Sequence, residues 1–333
     1  MKELDDLELI YLNKMLGFGQ VLWDLTVFVD FQFLKDLEID VGGHRIVDVE
    51  TIDGILEKLK KQDKQVIKNS GGSCANVMSN MAKLGSQTAF CGKHGDDVDG
   101  WKYMNILSNE GVKTHSIVDK ENSTGQLLSL ITPDKDRTFI VYRGASEVLL
   151  PDHVDKELLH MSDVVHVEGY LIINSDEALW KIFEEANKIT FDLAAYAIIE
   201  NTRPVLQKMM KKHPPMILFS NLSEGQAFTQ KEKPEDILDA MLEFSENSVL
   251  TLGKDGVMIK KENGEEHFEA AIKTDPLDTT GAGDSFSAGF LHEFLKNCDI
   301  KKASQLGVRT ASATITKVGA RSFHPRQLDE IIT

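Results

Sequence analysis

Short apolar runs and longer amphipathic stretches alternate along most of this chain. Residues 15–18, 88–92, 163–167, 216–219 and 249–252 have the length of buried strands, while 75–84, 100–110 and 177–187 have the length and spacing of helices. That alternation predicts parallel strands joined by crossover helices, an α/β fold with a mostly parallel sheet. Two stretches break the rhythm, residues 27–66 and 114–142, and within the second the segments 126–131 and 138–142 alternate in the manner of antiparallel strands. A small β-sheet built from both stretches would form a discontinuous lid over a core made of residues 1–26, 67–113 and 143–333. No internal repeat, low-complexity run or long linker marks off an independent second domain.

Composition narrows the picture modestly. With 333 residues, 41% hydrophobic and 27% charged, the chain has the make-up of a globular protein with a sizeable core. Its formal net charge of −16 argues against a nucleic-acid backbone or an anionic membrane as partner. Cys74, Cys91 and Cys298 lie far apart with no C-x-x-C pair, so neither a disulfide framework nor a zinc site is indicated, and a reducing compartment fits. The acidic opening Met1-Lys2-Glu3-Leu4-Asp5-Asp6 is unlike a secretory signal, and no stretch reaches the ~18 apolar residues of a membrane span. A cytoplasmic location is expected. None of the histidines has metal-ligand spacing, and all are expected to be structural or superficial.

The most informative segment is Asp278-Thr279-Thr280-Gly281-Ala282-Gly283-Asp284-Ser285-Phe286. Gly281, Ala282 and Gly283 allow successive N–H groups to face one concavity, and Phe286, Phe290 and Phe294 follow at helical spacing. A helix N-terminus added to such a nest would stabilise charge on a transferring phosphoryl group. Asp284 stands where it could take the proton of an attacking hydroxyl. The alternative for these residues is a glycine-rich turn with an Asp cap. A second cluster, Ser70-Gly71-Gly72-Ser73-Cys74-Ala75-Asn76, opens a helix carrying Val77, Met81 and Leu84. Its glycines permit close approach of a ligand, and Asn76 could bond two hydroxyls at once; otherwise Ser70 or Ser73 simply caps the helix.

Two aspartates flanking Thr-Thr-Gly-Ala-Gly match the loop of the ribokinase-like (PfkB) sugar and nucleoside kinases, and the run from Gly71 to Gly100 resembles that family's other signature. The resemblance covers nearly the whole chain and implies a three-layer α/β/α core with a small β lid. It makes Asp284 the catalytic base and Gly281, Ala282 and Gly283 the anion cradle. Asp24, after Gly17-Phe18-Gly19 in what looks like the first core strand, then becomes a substrate ligand, joined by Gly72 and Asn76. Arg137 resembles a lid arginine that reaches the phosphates. Asn221 and Glu224 match an N-x-x-E motif that organises Mg²⁺ through water. Thr251, Gly253 and Gly256 resemble the turn that holds ATP, Gly319 and Ala320 the border of the adenine pocket, and Asp278 a ligand of an activating K⁺.

No G-x-x-x-x-G-K-[ST] occurs, and Leu22 stands where a dinucleotide fingerprint needs its third glycine. Val167-Glu168-Gly169-Tyr170-Leu171 is similar to the adenosine-kinase branch, which would place Glu168 and Tyr170 beside the acceptor. Gln20 departs from the Asn usual in nucleoside kinases, and Trp23, Phe31, Phe33 and Tyr170 are the candidate base-stacking aromatics. The expected activity is ATP-dependent phosphorylation of the 5′-hydroxyl of adenosine, inosine or guanosine. A free pentose or ketohexose is the alternative acceptor, and a non-catalytic nucleotide-binding protein the second alternative. A monomer, or a homodimer paired through lid strand edges, is expected.

Overall fold

The computed structural model describes residues 14–327. The acidic opening segment and the ends of the expected core domain, residues 1–13 and 328–333, lie outside the described residues. A nine-stranded sheet runs in the order β14 (Glu266–Glu269), β13 (Val257–Lys261), β12 (Asn247–Thr251), β11 (Ile217–Asn221), β10 (Ile189–Asp192), β9 (Val164–Glu168), β1 (Lys14–Phe18), β5 (Gln87–Gly95) and β6 (Lys113–Asp119). From β12 to β6 every pairing is parallel; β13 and β14 add an antiparallel edge.

The apolar runs are explained by burial on both faces. Met15, Phe90, Ile217 and Phe219 face one side with Phe286, Phe290 and Phe294 of the helix Ala282–Asn297, and their strand neighbours Leu16, Cys91 and Leu218 face the other side. The helices Ser73–Lys83 and Ala282–Asn297 pack together on the first face, bringing the two glycine-rich motifs side by side.

A second, five-stranded sheet has the order β3 (His44–Ile46), β8 (Arg137–Tyr142), β7 (Gly125–Ile131), β2 (Leu22–Phe28) and β4 (Ile67–Ser70). One of its faces is covered by the helix Val49–Lys61, whose Ile52, Ile55 and Leu59 meet Leu128, Leu130 and Ile140. Its composition differs from the expected lid in three ways. Leu22–Phe28, of which residues 22–26 were expected in the core, and Ile67–Ser70, also expected there, are strands of the small sheet, so the first core strand stops at Phe18 and Asp24 belongs to the small sheet. Lys113–Asp119, expected in the lid from residue 114 onward, pairs with β5 as the edge of the large sheet. An edge strand is half solvated and alternates like a lid strand, which is why the pattern misplaced it. Beyond Val27 and Phe28, which end β2, the stretch 27–66 contributes only His44–Ile46 as strand and carries the helices Phe31–Asp36 and Val49–Lys61.

Candidate active site

Four adjacent parallel strands end on polar residues: Glu168 on β9, Asp192 on β10, Asn221 on β11 and Thr251 on β12. Ligands of open α/β sheets sit beyond such carboxyl ends, and here all four residues line a cavity of about 590 Å³. Its other walls are the starts of the two packed helices, with Gly72, Ser73, Asn76, Gly281, Gly283 and Asp284, and one face of the small sheet. A second groove of about 760 Å³ runs between β12–β13 and the helix Ile300–Ile315. Thr251 and Gly283 line both, so the two spaces meet at the glycine loop.

That loop is not an Asp-capped turn. Gly281 is the N-cap, at φ +72, and Asp284 lies in the first turn. A side chain at 281 would collide with Ala320, so only glycine fits there. The N–H of Ala282 bonds to the Thr279 carbonyl; those of Gly281, Gly283 and Asp284 have no acceptor among the described residues. The free donors therefore differ from the expected Gly281–Gly283 trio in one position, with the N–H of Asp284 in place of that of Ala282.

Asp284 is gripped from the other motif. Ser73 Oγ donates to Oδ1 at 2.7 Å and Asn76 Nδ2 to Oδ2 at 2.7 Å. Burial raises its pKa, while Asn76, Ser73 and the charge of Arg321 act in the opposite direction. Gly72, at φ +86, caps the helix with its backbone alone, so neither Ser70 nor Ser73 is the cap. Asn76 is not free for two hydroxyls either: its Oδ1 accepts from Arg321 Nε at 2.8 Å while its amide holds Asp284. It acts first as a positioning residue.

Asp24 reaches the cavity with no hydrogen-bond partner among the described residues. Burial pushes its pKa up to about 7 against the pull of Arg321, with Asp284 and Asp278 adding to the rise. Glu168 lines the same cavity but is committed, accepting from the Gln20 and Cys74 N–H groups at 2.7 Å each, and burial pushes it up to about 7. Asp192 was not anticipated. It is raised well above the usual carboxylate range by burial, then by Glu224 and Asp284. Tyr170 lines the cavity and its hydroxyl donates to the Ala194 carbonyl at 3.3 Å.

Asn221 and Glu224 form a capping box on the helix Leu222–Thr229: Asn221 Oδ1 accepts from the Glu224 N–H at 3.0 Å, and Glu224 Oε2 accepts from the Asn221 N–H at 2.9 Å. Burial, working against those bonds, pushes Glu224 up to about 7. Arg137 does not line the cavity. It crosses from the small sheet to the loop flank, donating to Thr280 Oγ1 at 2.9 Å and Asp278 Oδ1 at 3.0 Å. Asp278 also accepts from Thr280 N, Thr280 Oγ1 and, through Oδ2, Gly319 N. Burial would raise it, yet these donors outweigh burial and hold it low. These bonds tie the loop flank to Arg137 and Gly319 through Asp278.

Gly253 and Gly256 line the groove at positive φ. Gly319 and Ala320 do not; they back the glycine loop, with the Ala320 carbonyl accepting from Asn80 and Ser285. Val308, Ala311, Ser312 and Ile315 form the groove wall expected of them. Among the proposed stacking aromatics only Tyr170 lines the cavity; Trp23 and Phe33 are buried elsewhere and Phe31 is exposed. Phe139 and Phe219 line it instead, and so does the exposed His44.

Arg321 was missed altogether. Its nearly buried guanidinium donates to Asn76, Ser70 Oγ (3.0 Å), the Gly71 carbonyl (2.8 Å), Tyr103 and Glu110 (3.3 Å). It stands between the two motifs and locks the Gly71–Gly72 turn.

The raised carboxylates make stability fall with pH. Asp24, Glu168 and Glu224 have folded pKa values of about 7 against ordinary values near 4. In that window the folded chain binds more protons than the unfolded one, so the stabilisation is full below ~4 and lost as pH rises through ~7. The ligand-free protein should melt at a lower temperature at pH 8 than at pH 5.5, by calorimetry at fixed ionic strength. A rising melting temperature would mean that these groups are ionised in the fold.

The arrangement of an anion-cradling helix start, a held carboxylate and two meeting spaces defines a phosphotransferase. Residues 37–327 match the model of the pfkB family carbohydrate kinases, and the chain belongs to that family. An uncharacterized sugar kinase of Archaeoglobus fulgidus is 28% identical over 75% of this chain and 99% of its own length. The 5-dehydro-2-deoxygluconokinase of Geobacillus kaustophilus is 26% identical over 92% of this chain and 96% of its own. The adenosine kinase of Sinorhizobium meliloti shares the fold, with a TM-score of 0.83 at 24% identity over 93% of this chain and 96% of that one. Among the described residues no helix is long and apolar enough to cross a membrane.

Proposed function

We propose that this kinase transfers the γ-phosphoryl group of ATP to the 5′-hydroxyl of a nucleoside such as adenosine, inosine or guanosine. The observation that carries the reading is the position of Asp284, at the junction of the groove and a cavity whose small-sheet wall is mostly apolar: Leu22, Leu127, Phe139 and Val141. Such a wall suits a nucleobase better than a free sugar.

The groove fits ATP: its glycines allow close backbone approach, Lys254 is at hand, and Val257, Ile272, Phe286 and Ile315 supply apolar surface. Asn221 and Glu224 fit Mg²⁺ held through water, since Mg²⁺ keeps several waters and uses few carboxylates. Bound there, ATP·Mg²⁺ would supply the electrophilic phosphoryl group. Asp24, unpartnered and facing the cavity, grips the ribose hydroxyls. Asp284 orients the 5′-hydroxyl and receives its proton, which in phosphoryl transfer leaves late, so a weak base suffices. The free N–H groups of Gly281, Gly283 and Asp284 meet charge on the moving group. Arg137, joining the small sheet to the loop flank, holds the lid closed and keeps water out.

The test is turnover of ATP with Mg²⁺, with and without K⁺, against a panel of nucleosides and free sugars. Turnover of a nucleoside with release of its 5′-monophosphate supports the reading. Turnover of a pentose or ketohexose alone moves the protein to the sugar class, where several relatives are named.

A further inference from the structure

Besides Asp24, the cavity holds a charged side chain of the opposite sign that has no partner among the described residues. Arg143, directly after β8, lines the cavity, and its guanidinium makes no hydrogen bond or ion pair with any described residue; Glu147 acts on it only through its charge. It is half-buried, and desolvation lowers its pKa. Partly desolvated and with no protein acceptor, the guanidinium keeps its donor fork free for a ligand that supplies acceptors.

Its place in the sheet gives a direction. Alternate residues of β8, Phe139 and Val141, line the cavity, and Arg143 continues that row. The pairing of Gln126 with Tyr142 sets Arg143 against Gly125, which in turn pairs with Leu22. Asp24 is two residues farther along β2, so two strand spacings combined with that offset, roughly 12 Å, separate its backbone from that of Arg143. A furanose held at Asp24 would extend its base across the apolar face toward the guanidinium. His44 lies close enough for Arg143 to lower its pKa further after desolvation, which keeps the ring neutral.

Resting on the nucleoside reading above, we infer that Arg143 selects 6-oxopurine nucleosides, inosine and guanosine, over adenosine. The planar fork matches two coplanar acceptors, and a 6-oxopurine offers O6 and N7 side by side. Adenine puts an amino donor at the same place, leaving donor facing donor. An anionic acceptor is disfavoured, because Asp24, Glu168, Asp192, Glu224 and Asp284 line the same cavity and Arg143 is the one Lys or Arg among the described residues that line it.

The experiment compares kcat/KM for guanosine, inosine, adenosine and 7-deazaguanosine in the wild type, Arg143→Met and Arg143→Lys. ATP affinity and melting temperature serve as checks on folding. In the wild type, inosine and guanosine should exceed adenosine by about 10- to 100-fold, the value of one bidentate pair, and 7-deazaguanosine should fall below guanosine. In Arg143→Met the guanosine-to-adenosine ratio should approach one and the 7-deaza effect should vanish. Arg143→Lys keeps the charge but not the fork, so its ratio should also collapse. Equal use of adenosine by the wild type, or an unchanged ratio in either variant, overturns the assignment of Arg143 while leaving the nucleoside reading standing. Turnover of free sugars or sugar acids with no nucleoside used overturns both.

Discussion

Asp284→Asn should lower kcat by about 10²- to 10⁴-fold, the range for a positioned general base, with ATP affinity retained. Asn suits the position because it can keep both contacts. Its oxygen can accept from Asn76, and its amide can donate to Ser73, whose hydroxyl serves either way. The charge and the proton acceptor are removed while the geometry stays, so a fall in kcat reports chemistry rather than collapse. The ionised carboxylate is the active form, and burial raises its pKa. Wild-type activity should therefore climb with pH through a midpoint above the ordinary range for Asp, and this limb should be absent from the variant's residual rate. An Asn variant with more than a tenth of the wild-type kcat would remove Asp284 from the role of base.

Arg321→Met should damage both stability and rate. Met fills much of the space of the stem but matches none of the five partners, leaving Glu110 and the Gly71 carbonyl without their guanidinium donors. Breaking one side of a buried ion pair costs about 3–5 kcal/mol, which should appear as a melting temperature lower by several degrees. The rate should fall as well, by about 10²-fold, because Asn76 loses the bond that orients its amide toward Asp284 and small misplacements at a reacting centre are that costly. Arg321→Lys should rescue little, since one ammonium cannot reproduce the fork. An unaltered melting temperature and kcat in Arg321→Met would show that the turn at Gly71–Gly72 holds itself.

Much of the fold and of the catalytic loop could be read from the chain because the signals there are local. Glycines at Gly281 and Gly283, phenylalanines at helical spacing after them and apolar runs of strand length all lie within a few residues of the feature they determine. The N-x-x-E motif of Asn221 and Glu224 was legible for the same reason. What escaped was decided by distant partners. Arg321 is an ordinary basic residue after a Gly-Ala pair until the fold sets it against residues 70–76. Gly319 and Ala320 occupy a position one layer behind the groove, a distinction that sequence order does not carry. Asp192 ends a strand that reads as apolar, and its chemistry comes from the neighbouring strand ends. Arg143 and His44 depend on which face of the small sheet looks inward, and a one-residue change of register would reverse that.

The grip on Asp284 joins positions 211 apart in sequence, and Arg321 reaches Ser70 across 251. Closing loops of that length is entropically expensive, and structures dominated by such pairings fold slowly. Strands and helices can form and pack locally before residues 70–76, 278–284 and 319–321 find one another. During refolding, catalytic competence is therefore the last property to return, and a chain with native-like backbone content can still be an incomplete enzyme.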